Sequence, residues 1–312
     1  MTDYSSMLDV FTALFTLIAA GILIRFVPGI PAASDLRVAI GSMVLNVFLP
    51  ALTFQSLATA PLSHELWMIP AIAITTALAS AALSWLIVAR MMGSRLRDAQ
   101  IGALLLAATF CNATYLGLPV VTKVVGPEFA RIPIVFDMLG MSPVLFTLGA
   151  WIGIRYGSTS QRLSVWRSLR SILTLPPFIA AVVGMLVNVA GLSLPPAVTT
   201  FTSMAGSVVA PVMLFSIGLA LQVPRWSQAA MLTPSLVIKV IIAPLIAYGL
   251  SHLTPMSHDV ELATVLEAAM PTMVLTMVFA QRYNLDTELL AQAILFSTVV
   301  SMITLPLILM LW

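Results

Sequence analysis

The chain has 312 residues, of which 60% are hydrophobic and only 8% are charged, and its formal net charge is +2. A soluble domain is about 25% charged, so this composition and a mean hydropathy of +1.05 exclude that class. The small net charge argues against nucleic-acid binding, and the single cysteine, Cys111, excludes a disulfide framework. The long continuous apolar runs exclude a membrane β-barrel and predict an all-α polytopic membrane protein.

Polar residues divide the chain into ten candidate transmembrane helices, each long enough for the roughly 20 residues that a bilayer requires. In chain order the predicted spans are 8–27, 35–59, 65–90, 98–124, 130–155, 167–190, 196–222, 227–252, 259–281 and 287–312. The longest polar connection, 157–166, lies at the middle of the chain. It predicts a linker between two five-helix halves, 1–156 and 167–312.

Lysine and arginine residues are distributed unequally between the two sets of connections. Eleven of them flank the connections after odd-numbered spans, whereas two, Lys123 and Arg131, flank the other set. Positive residues concentrate in short cytoplasmic loops. We therefore predict a protein of the inner (cytoplasmic) membrane, with the odd-numbered connections in the cytoplasm and both termini outside.

The two halves of the chain are related by a nearly constant offset. Pro50 recurs as Pro211, 161 residues later, and Asp98 recurs as Asp259, again 161 residues later. Because each half contains an odd number of spans, the second half is predicted to be inserted upside down. Inverted repeats of this kind are typical of secondary transporters, whose substrate site lies near the membrane midplane.

Spans 4 and 9 carry helix-breaking residues at corresponding positions. Span 4 contains Asn112, Gly117 and Pro119, and span 9 contains Pro271. A proline inside a helix removes a hydrogen-bond donor and clashes with the preceding turn, at a cost of about 3 kcal/mol. Neighbouring helices can compensate for a simple kink. However, prolines paired in inverted repeats favour two discontinuous, crossing helices with non-helical backbone near 112–119 and 270–272.

These segments resemble the prokaryotic branch of the auxin efflux carrier family of membrane transporters. The resemblance rests on residues 45–52, 112–119, 210–218, 269–272, 282–286 and 297–306. It implies ten transmembrane helices in two inverted five-helix repeats, with helices 4 and 9 broken and crossed. It also implies a scaffold domain and a transport domain that move relative to each other. One departure is Thr114, because the family usually has glycine two residues after its asparagine.

Three ionisable residues lie inside predicted spans, where such residues are costly and therefore suggest a function. Asp137 lies where the family often has an aspartate, and it either takes part in ion coupling or is capped by neighbouring hydroxyl groups. Glu267 precedes Pro271 by four residues, near carbonyls freed by the break, and is predicted to bind a coupling proton or cation. Lys239 pairs with one of these acids, contacts the substrate or reaches an interface.

Five uncharged residues are the candidate substrate ligands. They are Asn46, Asn112, Tyr115, Thr272 and Thr276. Helix N-termini near the midplane attract anions, and amide and hydroxyl groups are milder donors than an arginine fork. Together they predict a site for a small organic carboxylate, in agreement with the dicarboxylates associated with prokaryotic family members. Asn46 and Asn112 also have an alternative role as amides that join helices.

The sequence therefore predicts a secondary transporter that moves a carboxylate by elevator-like alternating access around a midplane crossover. No nucleotide-binding, serine-hydrolase or zinc-protease motif occurs, so we expect no enzyme, no cofactor and no metal. Two alternatives are a sodium-coupled organic-anion transporter of the bile-acid symporter type and a membrane sensor that does not transport. The expected partners are the carboxylate, the lipid bilayer and a coupling proton or sodium ion, with no nucleic acid. A homodimer is left open.

Overall fold

The computed structural model describes residues 4–60, 64–158, 170, 173–221 and 224–312. Within these ranges the fold is all-helical, and its one β feature is an isolated bridge of two residues. The predicted all-α class is therefore confirmed. The predicted linker 157–166 lies largely outside the described residues.

The described helices include several that suit a membrane. In chain order they are α1 (Tyr4–Leu23), α2 (Ala33–Ala58), α3 (Glu65–Met91), α4 (Asp98–Thr109), α5 (Leu118–Val124), α6 (Pro127–Tyr156), α7 (Pro176–Val189), α8 (Pro196–Ala220), α9 (Trp226–His252), α10 (His258–Ala269), α11 (Thr276–Tyr283) and α12 (Thr287–Leu311). Among the described residues six helices, α2, α3, α6, α8, α9 and α12, are long and apolar enough to cross a membrane. This confirms a multi-pass membrane protein, while the inverted repeat of ten spans stays a prediction.

The described residues form two compact units, each built from segments that are distant in sequence. Unit 1 comprises segments 1–64, 114–134 and 171–221, and unit 2 comprises segments 65–113, 135–170 and 222–312. Both units draw on both halves of the chain. The compact units therefore do not coincide with the predicted repeats.

Unit 1 is held together by close backbone approaches between its helices. Where α1 meets α8, a Cβ atom at Gly218 would lie 2.0 Å from the Ile18 carbonyl oxygen, so only glycine fits. Where α7 meets α2, the Asn188 side-chain amide donates hydrogen bonds of 2.7 Å to the carbonyls of both Leu57 and Ala60. This amide satisfies carbonyls at the end of α2 that have no partner within the helix.

In unit 2, the starts of α4 and α12 are joined at Asp286. Its carboxylate caps α12 by accepting the Leu289 N–H at 3.0 Å, and it forms an ion pair with Arg97 at 3.0 Å. Its own N–H donates to the Ala99 carbonyl at 3.1 Å. These contacts fix the start of α4 beside the start of α12 within unit 2.

Two short helices, α4 and α10, lie inside unit 2. Residues 101–109 of α4 and 263–269 of α10 are all buried, and both helices contact α3, α9 and α12. Each has 12 residues, or about 18 Å at about 1.5 Å per residue. A hydrocarbon core is about 30 Å thick, so neither helix crosses it alone and both end in the interior.

Candidate functional site

The ends of α4 and α10 create the central chemical feature of unit 2. α4 ends at Thr109 and α10 ends at Ala269. The last four carbonyls of a helix have no intrahelical partners, and in a membrane each unsatisfied group costs several kcal/mol. Two such ends inside the protein therefore require partners from elsewhere in the chain.

The backbone after each helix supplies part of this pairing through an antiparallel bridge. The Asn112 N–H donates to the Pro271 carbonyl at 2.8 Å, and the Met273 N–H donates to the Phe110 carbonyl at 2.9 Å. We call residues 110–112 and 271–273 the crossover. It joins the two interrupted helices directly to each other.

Thr272 anchors the crossover to a third helix. Its hydroxyl donates to the Ala107 carbonyl of α4 at 2.9 Å. Its N–H donates to the Ser297 hydroxyl of α12 at 3.0 Å. Ser297 in turn donates to the Ile294 carbonyl at 3.1 Å, so its oxygen is oriented to accept.

The two interruptions differ in their relation to the predicted helix-breaking residues. Pro271 lies within the crossover, but Gly117 and Pro119 lie in helical backbone. Residues Ala113–Gly117 form a π-helical turn, and Pro119 is the second residue of α5. The first interruption, at residues 110–112, therefore overlaps only the start of the predicted range 112–119, because residues 113–119 are helical.

Three charged side chains of unit 2 are buried around Cys111. They are Asp137 on α6, Lys239 on α9 and Glu267 on α10, and the charges of all three act on the Cys111 thiol. We call these three residues the charge cluster. Asp137 accepts a hydrogen bond of 2.8 Å from the Ser142 hydroxyl, which agrees with capping by a neighbouring hydroxyl group.

Lys239 and Glu267 are exceptional because they are buried without hydrogen-bond partners. Lys239 is 1% exposed and Glu267 is fully enclosed. Among the described residues, neither the Lys239 ammonium nor either carboxylate oxygen of Glu267 has a hydrogen-bond partner. An uncompensated buried charge costs several kcal/mol. These groups are therefore suited to bind a proton, an ion or a charged substrate.

Three of the candidate substrate ligands belong to unit 2. Asn112 and Thr272 are in the crossover, and Thr276 is the first residue of α11. All three are buried. The Thr276 hydroxyl donates to the Met273 carbonyl at 2.6 Å, so its oxygen keeps its capacity to accept.

The other two candidate ligands, Asn46 and Tyr115, belong to unit 1. The Asn46 amide donates to the Ser42 carbonyl of its own helix at 2.8 Å. Tyr115 packs against a buried apolar cluster that includes Val44 and Met213. Within unit 1, these contacts give Asn46 a local backbone role and Tyr115 a packing role.

Four of the candidate ligand and charge-cluster residues lie on π-helical turns. These are Asn46, Tyr115, Asp137 and Lys239, on turns Val44–Phe48, Ala113–Gly117, Phe136–Met141 and Ile238–Ile242. Each turn ends two residues before a proline, namely Pro50, Pro119, Pro143 or Pro244. A proline leaves a carbonyl of the preceding turn without its donor, and π-helical turns are frequent at functional sites.

Sequence reasoning missed two residues of this region. Cys111 lies in the crossover beside the charge cluster, and Ser297 holds the Thr272 backbone. Two signals pointed to Ser297, namely its offset of 160 from Asp137 and its place in the segment 297–306 that carries the family resemblance. In the part of the chain that the structure describes, no group of three or more His, Cys, Asp or Glu residues is placed to hold a metal ion.

The chain is similar in sequence to known membrane transport proteins. The chain matches the family described as "Membrane transport protein" over residues 32–309, which contain the crossover and the charge cluster. It is 31% identical over 269 residues to an uncharacterised transporter of Methanothermobacter thermautotrophicus, with 85% of each chain covered. An uncharacterised transporter of Methanocaldococcus jannaschii is 26% identical over 223 residues, covering 68% of this chain and 69% of that protein.

Proposed function

The chain belongs to the auxin efflux carrier family of membrane transport proteins, and from this premise we propose that it is a secondary transporter of a small organic carboxylate. The observation that carries the proposal is the crossover, beside which Lys239 and Glu267 are buried without partners among the described residues. Discontinuous helices that meet inside a membrane are typical of transporter binding sites. A transporter would use these two side chains to bind charged species, which explains why they are buried despite the cost in stability.

The charge cluster favours an anion that travels together with a proton. With Asp137 and Glu267 ionised and Lys239 protonated, two negative charges and one positive charge give a formal sum of −1, which repels a carboxylate. When Glu267 takes up a proton, the sum becomes zero. Anion binding and proton binding then strengthen each other. The same carboxylate that binds the proton thereby controls whether the anion enters.

The groups around the crossover favour a carboxylate over a more highly charged anion. The nearby polar side chains are the Asn112 amide and the hydroxyls of Thr272 and Thr276. These are neutral donors and acceptors, whereas phosphate and sulfate are commonly held by arginine forks. Helical backbone resumes after the crossover at Ala113 and Thr276, and the N-termini of such half-helices attract negative charge.

Unit 2 is the natural carrier of the substrate, because it contains both the crossover and the charge cluster within a single compact unit. We therefore assign the transport domain of an elevator-like cycle to unit 2 and the scaffold to unit 1. The runner-up is coupling to sodium, as in bile-acid-type symporters. The carboxylates of Asp137 and Glu267 are the groups that such an ion would use.

The proposal is tested by flux into liposomes that contain the purified protein. Labelled mono- and dicarboxylates are offered under a pH gradient, a sodium gradient and a membrane potential, each imposed separately. We expect uptake driven by the pH gradient. Uptake driven by the sodium gradient instead would identify sodium, rather than a proton, as the coupling ion. Saturable binding without flux under any gradient would overturn the transporter proposal in favour of a sensor.

Glu267→Gln tests the coupling step directly, because it keeps the shape of the side chain and removes its titration. We expect uptake driven by the pH gradient to fall at least about tenfold, which corresponds to about 1.4 kcal/mol, while the substrate still binds. Asp259→Asn is the matched control, since it removes a carboxylate at an exposed position of the same helix. Wild-type flux with unchanged pH dependence in Glu267→Gln would contradict proton coupling through this residue.

A further inference from the structure

Unit 2 contains a cavity of about 740 Å³ between α9, α10 and α12. Among the described residues that line it, none belongs to the crossover or to the charge cluster. The cavity is therefore separate from the proposed carboxylate site. Its volume is within the range of about 300–1,000 Å³ that is typical of ligand sites.

One side of the cavity faces outward through apolar side chains. Leu245 of α9 is 62% exposed and Leu311 of α12 is 89% exposed, and both residues line the cavity. These helices are long and apolar enough to cross the membrane. Exposed apolar side chains on such helices contact hydrocarbon rather than water. The cavity is therefore open to the lipid phase on this side.

The other end of the cavity carries polar groups, where α9 ends at His252 and α10 begins at His258. The Glu261 carboxylate lies there, 3.5 Å from the His252 ring and accepting a hydrogen bond of 3.3 Å from Ser251. The His258 ring lies 5.6 Å from the Trp312 ring. Carboxylate, imidazole and indole groups at the ends of membrane helices are at the depth of lipid headgroups.

Two polar groups in the cavity lining have no hydrogen-bond partner in the described part of the chain. The Trp312 indole nitrogen and the Thr304 hydroxyl oxygen are buried atoms, and neither has a hydrogen-bond partner among the described residues. Trp312 directly follows the last residue of α12 and lies eight positions after Thr304, or about 12 Å along the helix axis. Both can donate. A ligand that satisfies them must present acceptor oxygens at two depths in the membrane.

We propose that this cavity binds one phospholipid with a primary ammonium headgroup, the chemistry of phosphatidylethanolamine. An acyl chain lies along the exposed apolar faces of α9 and α12, and ester and phosphate oxygens accept from Thr304 and Trp312. The ammonium group pairs with Glu261, the one carboxylate among the described lining residues. The lipid then supports the first turn of α10, which is the helix that carries Glu267.

The proposal is tested on the purified full-length chain in detergent by native mass spectrometry and thermal unfolding. Phosphatidylethanolamine, phosphatidylcholine and phosphatidylglycerol with identical acyl chains are added in turn. We expect phosphatidylethanolamine to bind most tightly and to raise the Tm most. Equal binding of the three lipids, or tightest binding of phosphatidylglycerol, would overturn the assignment of the headgroup.

Two variants locate the site. Glu261→Gln should weaken phosphatidylethanolamine binding about fivefold, as for loss of one charge-assisted hydrogen bond, and should abolish the preference over phosphatidylcholine. Asp259→Asn, two residues away and outside the cavity lining, should change neither the affinity for phosphatidylethanolamine nor the preference over phosphatidylcholine. Thr304→Val has almost the same shape and removes only a hydroxyl without a partner, so it remains informative if Glu261→Gln does not fold. Thr304→Val should weaken all three lipids alike, and an unchanged affinity would overturn the site.

Discussion

Backbone and side chain have separate roles at the residues of the crossover. Asn112 contributes its N–H to the bridge with Pro271, so its side chain is not required for that contact. Thr272 differs, because both its N–H and its hydroxyl hold neighbouring helices. Truncation of the Asn112 side chain should therefore change substrate binding with little effect on stability, whereas truncation of Thr272 should change both.

For Asn112→Ala we expect the Kd for the carboxylate to rise about tenfold, or about 1.4 kcal/mol, with little change in Tm. The control is Asn188→Ala in unit 1, which removes two hydrogen bonds to carbonyls at the end of α2. Asn188→Ala should lower the free energy of unfolding by about 1–3 kcal/mol and leave the Kd unchanged. Titration calorimetry and thermal unfolding measure both quantities. A lower Tm with unchanged Kd for Asn112→Ala would assign that side chain to helix packing.

Among the helical elements, prolines set the local geometry of the candidate residues. Lys239 lies on the π-helical turn Ile238–Ile242, which ends two residues before Pro244. The wider turn contains one residue more than an α-helical path, and one residue corresponds to about 100° of rotation. The direction of the Lys239 side chain therefore depends on the proline that follows it.

Pro244→Ala tests this dependence. The alanine restores an N–H, so the turn can tighten into an α-helix and rotate Lys239 away from Cys111. We expect carboxylate flux to fall strongly while the Tm stays the same or rises. Pro306→Ala is the control, because Pro306 lies within the continuous helix α12. Unchanged flux in Pro244→Ala would show that the π-helical turn does not position the lysine.

The two interruptions illustrate how far the sequence predicts this site. The interruption at Pro271 is predictable from the local sequence, since a proline disrupts the preceding helical turn whatever surrounds it. Residues 110–112 contain neither proline nor glycine, and their non-helical backbone follows from hydrogen bonds with a segment distant in sequence. Local pattern therefore identifies spans and prolines. It does not identify which carbonyl Thr272 contacts or that Ser297 supports it, because those are tertiary contacts.

In the whole molecule, each compact unit combines segments from both halves of the chain. The near-constant offset between the halves relates positions such as Asp98 and Asp259, but it does not reveal which helices pack together. Packing depends on the faces that each helix buries. The apolar lengths of α2, α3, α6, α8, α9 and α12 were thus predictable, whereas the composition of units 1 and 2 was not.

The orientation of the whole protein is open to a labelling experiment. Cys111 is the one cysteine of the sequence, so Cys111→Ala provides a cysteine-free background. In it we expect Ser193→Cys, after α7, to react with an impermeant maleimide in intact cells. Ser94→Cys, between α3 and α4, should react only after permeabilisation, because positive residues keep that connection in the cytoplasm. The opposite pattern would reverse the predicted orientation.

The crossover also has a consequence for biogenesis. Phe110 and Met273 are about 160 residues apart, so at about 5–20 residues per second the ribosome delivers the second partner about 8–32 seconds after the first. During that interval, the Phe110 carbonyl lacks the donor that later binds it. Because the non-helical backbone of residues 110–112 depends on that distant segment, we expect these residues to extend the helix α4 until residues 271–273 have been made. The crossover is then a late feature of folding, formed only after both interrupted helices have been inserted.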